Sequence, residues 1–305
     1  MNPTDIANFE HIIGKPRLQS YRSYFKTRSP EATIGLYMWN GELSSCFAAL
    51  LSYFEICLRN SIHIAMASHY IGAVNSSAHW WDVVAAQLGT RTMEKVKAVR
   101  EKNGTPRIPA PSADEIVSRV TFGFWTAVLG RVDKHQAHVI MPAIFPDHPL
   151  NARPNEWKDS VKRKKAISFA FEMNDFRNRL AHHEPLRKFG SIKDTSTTPA
   201  TLVVAASTDL QSTRSRFARL IGLYDEAMSS ISATLHRDLL KSSWRTRLTF
   251  LLSDRGIERY VNTKYALSDI ATTSSYLHQN FARVVKQNAP VRIRRARKAG
   301  IFIPE

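Results

Sequence analysis

Over residues 42–70 apolar side chains return at steps of three and four: Leu43, Phe47, Leu50, Leu51, Phe54, Leu58, Ile62 and Met66. That spacing matches the 3.6-residue turn of an α-helix and predicts the longest core helix of the N-terminal half. Upstream, Ser29-Pro30-Glu31-Ala32 reads as a helix start, with serine as cap and proline in the first turn. His79-Trp80-Trp81 is expected to anchor a turn, and a charged helix over 93–102 fades into the turn-forming Asn103-Gly104-Thr105-Pro106. Ser112 and Glu115 form a capping box ahead of an apolar run over 116–129. Val120, Phe124 and Val128 share one face of that run and Phe122 and Trp125 widen it, so one deeply buried helix is expected.

Pro142, Pro146, Pro149 and Pro154 predict an irregular connection, after which a helix resumes near Asn155 and ends at Pro185. Residues 190–201 read as a loop followed by a short extended piece, Leu202-Val203-Val204. Residues 213–240, with Phe217, Leu220, Ile221, Tyr224 and Met228 on one face, and residues 248–261 complete the helical pattern. Strand signals are weak throughout. The expected architecture is an all-α bundle of about six to eight helices, with a helical domain over 1–240 and a C-terminal helical extension and basic tail over 241–305.

Charge narrows the class of partner. The 305 residues carry 43 Lys and Arg against 26 Asp and Glu, a net charge of +17. An excess of this size implies a polyanion, with nucleic acid ahead of a membrane surface. Two basic segments stand out as contacts for an RNA backbone: Lys158, Lys162, Arg163, Lys164 and Lys165, then Arg292, Arg294, Arg295 and Arg297. The second reads as a tail that stays mobile until it meets an anion. The first falls in the opening turns of a helix, where cations oppose the dipole.

Cys46 and Cys57, eleven apart on one helix face, read as reduced, buried thiols. No apolar leader opens the chain and no uncharged apolar run approaches the roughly 20 residues of a membrane span, so a cytoplasmic protein without membrane contact is expected. The sequence contains no phosphate-binding Gly-rich loop, no nucleophile elbow, no dinucleotide fingerprint and no Cys-x-x-Cys pair. Asp133, His135 and His138 lack the companions of a helix-borne metal site, and none is predicted.

Polar residues inside the apolar periods are the candidates for chemistry. Glu55, Arg59 and His63 follow at i, i+4 and i+8, with Asn60 beside them. They read either as a Glu55 to Arg59 ion pair or as a polar network lining a cleft. Near the middle of the chain, Asp175-Phe176-Arg177-Asn178-Arg179-Leu180-Ala181-His182-His183-Glu184-Pro185 packs two arginines, an asparagine and two histidines into seven residues. Asn178 and His182 share a helix face, while Arg177 sits about 140° from His182 by the 3.6-residue period. Cleaving RNA requires deprotonating a 2'-hydroxyl, protonating the leaving 5'-oxygen and stabilising charge at phosphorus. Imidazole can carry the proton transfers, guanidinium the charge, and an amide can orient either; the set needs no metal and no cofactor.

The pattern Arg177-Asn178-x-x-x-His182 resembles the signature of the HEPN superfamily, and residues 176–186 are similar to the corresponding segment of the Abi-like abortive-infection proteins. Phe54-Glu55 with Leu58-Arg59-Asn60, and Val120-Thr121-Phe122-Gly123-Phe124-Trp125, resemble two further segments of that family. The resemblance implies a HEPN-type helical fold, a metal-independent endoribonuclease of phage-defence or toxin-antitoxin type, and a composite site where two copies of the motif meet in a homodimer. It also implies a silencing partner, either a noncoding RNA or an acidic protein. Carried over, Arg177 and His182 form the catalytic pair, Asn178 is their polar companion, and His183, Glu184, Glu55, Arg59 and Asn60 are supporting residues. The chain departs from the pattern after Leu186, where Arg187-Lys188-Phe189 follows. The alternative is a non-catalytic RNA-binding or scaffold protein on the same fold, with the motif as a capping cluster.

Overall fold

The structure, a computed structural model, describes residues 3–73, 78–194, 199, 201–262, 271–286, 291–296 and 298–302. Helices account for 72% of it and strands for 6%, as the helical periods require. The helices number 16 among the described residues, against the about six to eight expected, because apolar runs that look continuous are interrupted by caps and turns. The chain divides into two compact units, each assembled from separated segments. One comprises Met1–Ala49, His183–Arg219 and Leu240–Glu305; the other comprises Leu50–His182 and Leu220–Leu239. Residues 241–305, expected as an extension to a domain over 1–240, belong to the first unit.

The Pro30–Ile71 helix supplies residues to both units and starts where its sequence says it should: Ser29 Oγ accepts from the Ala32 amide at 3.1 Å. It is long and apolar enough to cross a membrane by length and composition, a property missed by looking for uncharged runs. Core helices share that property, and Leu43, Phe47, Leu50, Phe54, Leu58 and Ile62 are each at most 1% exposed. Burying each such side chain is worth about 1.5–3 kcal/mol, so this stripe specifies how the helix is covered.

In the second unit Phe54 is the hub. Its ring lies 5.7 Å from Phe122, 5.9 Å from Phe169 and 6.5 Å from Tyr224, all near edge-to-face. Ser112 caps as expected, accepting from the Glu115 amide at 3.2 Å. The run over 116–129, however, forms two helices, Ala113–Arg119 and Phe122–Gly130, because Val120 and Thr121 are extended. All of its striped residues are buried. Pro142, expected in an irregular connection, lies inside the Ala137–Ile144 helix, and two 3-10 turns, Pro149–Ala152 and Pro154–Lys158, follow. The motif helix is Ser160–Ala181, shorter at both ends than predicted, and it packs on Phe122–Gly130.

In the first unit Trp39 is fully buried and donates to the Leu251 carbonyl at 2.8 Å. Phe217 stacks on Phe47 at 5.2 Å and meets Phe189 edge-on at 5.1 Å. A Cβ on Gly35 would stand 1.9 Å from the Tyr260 carbonyl, so two helix backbones approach at a distance only glycine permits. Residues 248–261 form two helices, Ser243–Leu251 and Asp254–Val261, divided where Ser253 caps the second. The predicted extended piece is the Thr201–Val204 strand, paired with Ile192–Asp194. The basic tail is the largest correction. The helical extension is there, as Ser243–Leu251, Asp254–Val261, Ser274–Gln279 and Phe281–Lys286, but in place of a mobile tail Val291–Arg295 pairs in parallel with Ala271–Thr273 and antiparallel with Lys298–Phe302. Val291 and Ile293 alternate with arginines, a period of two that suits a strand, and Val291 is buried. Cys46 is buried as expected, whereas Cys57 is partly exposed; both are free thiols.

Candidate functional site

The motif helix starts at Asp159, whose side chain accepts from the Val161 amide at 2.8 Å and the Lys162 amide at 3.1 Å. Those amides, Lys162 first, hold the Asp159 carboxyl below its ordinary pKa. The caps answer the electrostatic objection to a basic first turn, since an acidic side chain now sits at the positive end of the dipole. The helix closes at His182, whose amide donates to the Asn178 carbonyl at 3.0 Å. His182 is therefore the C-terminal cap and His183 lies beyond it, at φ 51. The helix was expected to run on to Pro185, which would have included both.

This geometry leaves Asn178 and His182 exposed on one face. Neither the Asn178 amide group nor the His182 imidazole hydrogen-bonds to any described residue. Arg177 points round the helix and is 40% exposed, with Nε 3.7 Å from Glu55 Oε2. Glu55 thus reaches Arg177, 122 positions along the chain, rather than its helix neighbour Arg59. At that separation the pair is electrostatic rather than a hydrogen bond.

The remaining polar residues of the stripe diverge. Asn60 is exposed, and Arg59 Nε is buried without a hydrogen-bond partner among the described residues. His63, 6% exposed, joins the tryptophan core: its Nδ1 accepts from Trp80 Nε1 at 3.0 Å and its ring stacks with Trp81 at 6.0 Å. Burial lowers its pKa and keeps it neutral, as an accepting Nδ1 requires. It is a core residue, and only Glu55 of the predicted stripe engages the motif.

In the first unit, the residues after the motif are clamped. The His183 carbonyl accepts from Arg17 at 2.6 Å, and the Leu186 amide donates to Asn40 Oδ1 at 3.0 Å. Leu186 and Phe189 are buried, and Arg187 is 1% exposed with its guanidinium over the rings of Tyr21 at 4.3 Å and Tyr24 at 5.3 Å. The Arg187-Lys188-Phe189 departure from the resembled pattern is thus a core segment of this chain. His183, predicted as a supporting residue, contributes through its backbone, and Glu184 is exposed. Arg17 and Asn40 had no signal in the sequence, because only tertiary folding brings them to residues more than 140 positions away.

The basic segments divide likewise. Lys158, Lys164 and Lys165 are exposed, but Lys162 pairs with Glu156 at 3.1 Å, and Arg163 donates to the Trp157 carbonyl at 2.7 Å, holding the preceding 3-10 turn. In the C-terminal hairpin Arg294 and Arg295 are exposed and Arg292 lies on the central strand. Arg297 lies outside the described residues.

Compared with family models, curated proteins and solved structures, the chain matches none. The functional reading therefore rests on the residues. An exposed amide and imidazole on one helix end, a tethered guanidinium farther round the same helix and lysines along it can bind a phosphodiester and exchange protons with it.

Proposed function

We propose that this protein is a metal-independent endoribonuclease of the HEPN type, acting in phage defence or as the toxin of a toxin-antitoxin pair. The observation that carries the reading is the exposed Asn178–His182 pair with unoccupied hydrogen-bonding groups, next to an Arg177 tethered by Glu55. In the reaction, a 2'-oxygen attacks the adjacent phosphorus and its proton passes to a neutral imidazole. The P–O5' bond breaks, and the 5'-oxygen takes up a proton from an imidazolium, giving a 2',3'-cyclic phosphate and a free 5'-hydroxyl. Arg177 neutralises the phosphorane, and Asn178 orients His182 or a non-bridging oxygen. Two imidazoles are needed at once, and Arg177 bears about 140° away from His182 on its own helix. Both facts favour a site completed by a second copy of the chain, hence a homodimer. A toxic nuclease requires a silencing noncoding RNA or acidic protein, which its net charge of +17 suits.

The test is cleavage of mixed RNA by purified protein, with and without a chelator. Cutting under both conditions is expected, with 2',3'-cyclic ends. Arg177→Ala and His182→Ala should each slow it at least about 100-fold while the protein stays folded and dimeric. Full activity in both variants ends the assignment. The second reading, an RNA-binding scaffold, has one observation in its favour: the Arg177–Glu55 pair and the His182 amide cap also serve the fold. Retardation of RNA on a gel without cutting selects it.

A further inference from the structure

Within the second unit, three side chains from three elements converge over Gly123, and the chemistry above uses none of them. Lys95 comes from the Thr90–Arg100 helix, Thr121 is the cap residue of Phe122–Gly130, and Asn174 belongs to the motif helix. From the point a Cβ on Gly123 would occupy, Lys95 Nζ lies at 3.2 Å, Asn174 Oδ1 at 3.7 Å and Thr121 Oγ1 at 4.0 Å. A residue without a side chain keeps that space open. The Thr121 side chain accepts from none of the helix amides, so its hydroxyl is uncommitted to the cap.

The charged groups that act on Lys95 are both cations. Burial lowers the pKa of Lys95, and the neighbouring Arg91 and Arg131 lower it further. None of these three cations is ion-paired among the described residues. Like charges held together without a counterion repel one another, and an anion among them relieves the repulsion. Through Asn174 the cluster shares a helix with the candidate site. Asn174, Asn178 and His182 succeed one another at i, i+4 and i+8, so Asn174 lies about 12 Å along the helix from His182 at 1.5 Å per residue.

We propose that Lys95, Thr121 and Asn174 form a phosphate subsite that holds the backbone of a single RNA strand, gripping a phosphate near the one attacked at His182. The Lys95 ammonium meets the phosphate as a point charge and the Thr121 hydroxyl donates to its oxygens, while Asn174, whose Oδ1 faces the point in this structure, turns its amide group over to present the NH2 as a donor. The subsite fixes which bond reaches His182. Its position relative to the cut rests on the ribonuclease reading, whereas the phosphate contact itself does not.

The test titrates the full-length protein with a fluorescent 2'-O-methyl RNA oligonucleotide, which cannot supply the attacking hydroxyl, across a series of salt concentrations. Lys95→Ala should weaken binding about tenfold and reduce the salt slope by about one. Asn174→Asp, nearly isosteric, should weaken it at least as much, because the new carboxylate neutralises Lys95 within the fold. Lys97→Ala removes the same charge from the same helix, but its side chain is 68% exposed and lies near Glu101; it should change affinity less than about twofold. Melting curves establish that each variant is folded. Equal losses for Lys95→Ala and Lys97→Ala, or no binding by the wild type, overturn the subsite. If the wild type binds through Lys95 yet never cuts RNA, the subsite stands and the ribonuclease reading falls. If the wild type cuts RNA and Lys95→Ala binds and cuts equally well, the subsite alone falls.

Discussion

The peptide bond between His182 and His183 separates two regions built on opposite terms. Before it, Asn178 and His182 are polar, exposed and without side-chain partners, and Arg177 is held at 3.7 Å by one carboxylate. After it, the His183 carbonyl and Leu186 amide are hydrogen-bonded, Leu186 and Phe189 are buried, and the Arg187 guanidinium lies against two tyrosines. A polar group kept exposed and unpaired adds little to stability, whereas a buried, paired one is needed for folding. The six-residue motif is therefore the part of the segment free to act on a ligand, and the part beyond it holds the chain in place. Substitutions on the two sides should fail in different assays.

The strongest challenge to that division is Phe189→Ala. It removes a ring packed on Phe217 at 5.1 Å and beneath Arg216 at 5.2 Å, and should cost about 3–5 kcal/mol in urea unfolding. RNA cleavage per folded molecule should be unchanged. Lost cleavage at full stability would erase the distinction. Asn40→Ala is the gentler version, leaving the partly buried Leu186 amide without its acceptor at a cost of about 1–3 kcal/mol in the same experiment. If it proves neutral, the clamp on the downstream segment is not a stabilising contact.

Much of this contrast could be read in the chain, though unevenly. The Pro30–Ile71 helix was legible because its apolar step persists for many turns and its Ser29 cap is local. The Ser112 cap was legible for the same reason. The break at Val120 and Thr121 was not, since the apolar stripe continues through it and only the backbone turns. In the C-terminal hairpin the alternation Val291-Arg292-Ile293-Arg294 carried the strand signal, but the density of charge suggested a tail. At the site, residue types and spacing singled out Arg177, Asn178 and His182 as candidates. Nothing local paired Glu55 with Arg177 or placed Lys95 and Asn174 around Gly123, because these residues lie far apart in sequence and meet only on folding.

Acid offers a way to sharpen the comparison, because the site histidines are exposed and the core ones are not. His63 Nδ1 accepts from Trp80, His148 Nδ1 accepts from the Leu150 amide, and burial lowers the pKa of both. A histidine whose folded pKa lies below its unfolded value of about 6.5 binds its proton more readily when unfolded. Its contribution to stability is complete above about pH 6.5 and is lost as the pH falls from there through the folded pKa. Melting temperature should fall along that limb, and His63→Gln, which does not titrate, should flatten it. A limb that His63→Gln leaves untouched would assign the acid sensitivity elsewhere in the chain.

The smallest effect expected is that of Glu55→Gln, and it tests whether the tether on Arg177 serves the fold or the site. The two side chains are 40% and 23% exposed, so solvent screening limits the pair to about 0–1 kcal/mol, and unfolding should register no more than about 0.5 kcal/mol. Arg177 would nevertheless sample more rotamers, and each must be recovered when the guanidinium meets a phosphate. Cleavage should therefore fall severalfold through the rate constant while stability barely moves. Salt gives the control: at about 1 M ionic strength the Debye length is about 3 Å, short enough to screen the 3.7 Å pair, and wild type and Glu55→Gln should converge in rate. If the variant unfolds readily and cleaves normally, Glu55 is a strut for the fold and does not aim Arg177.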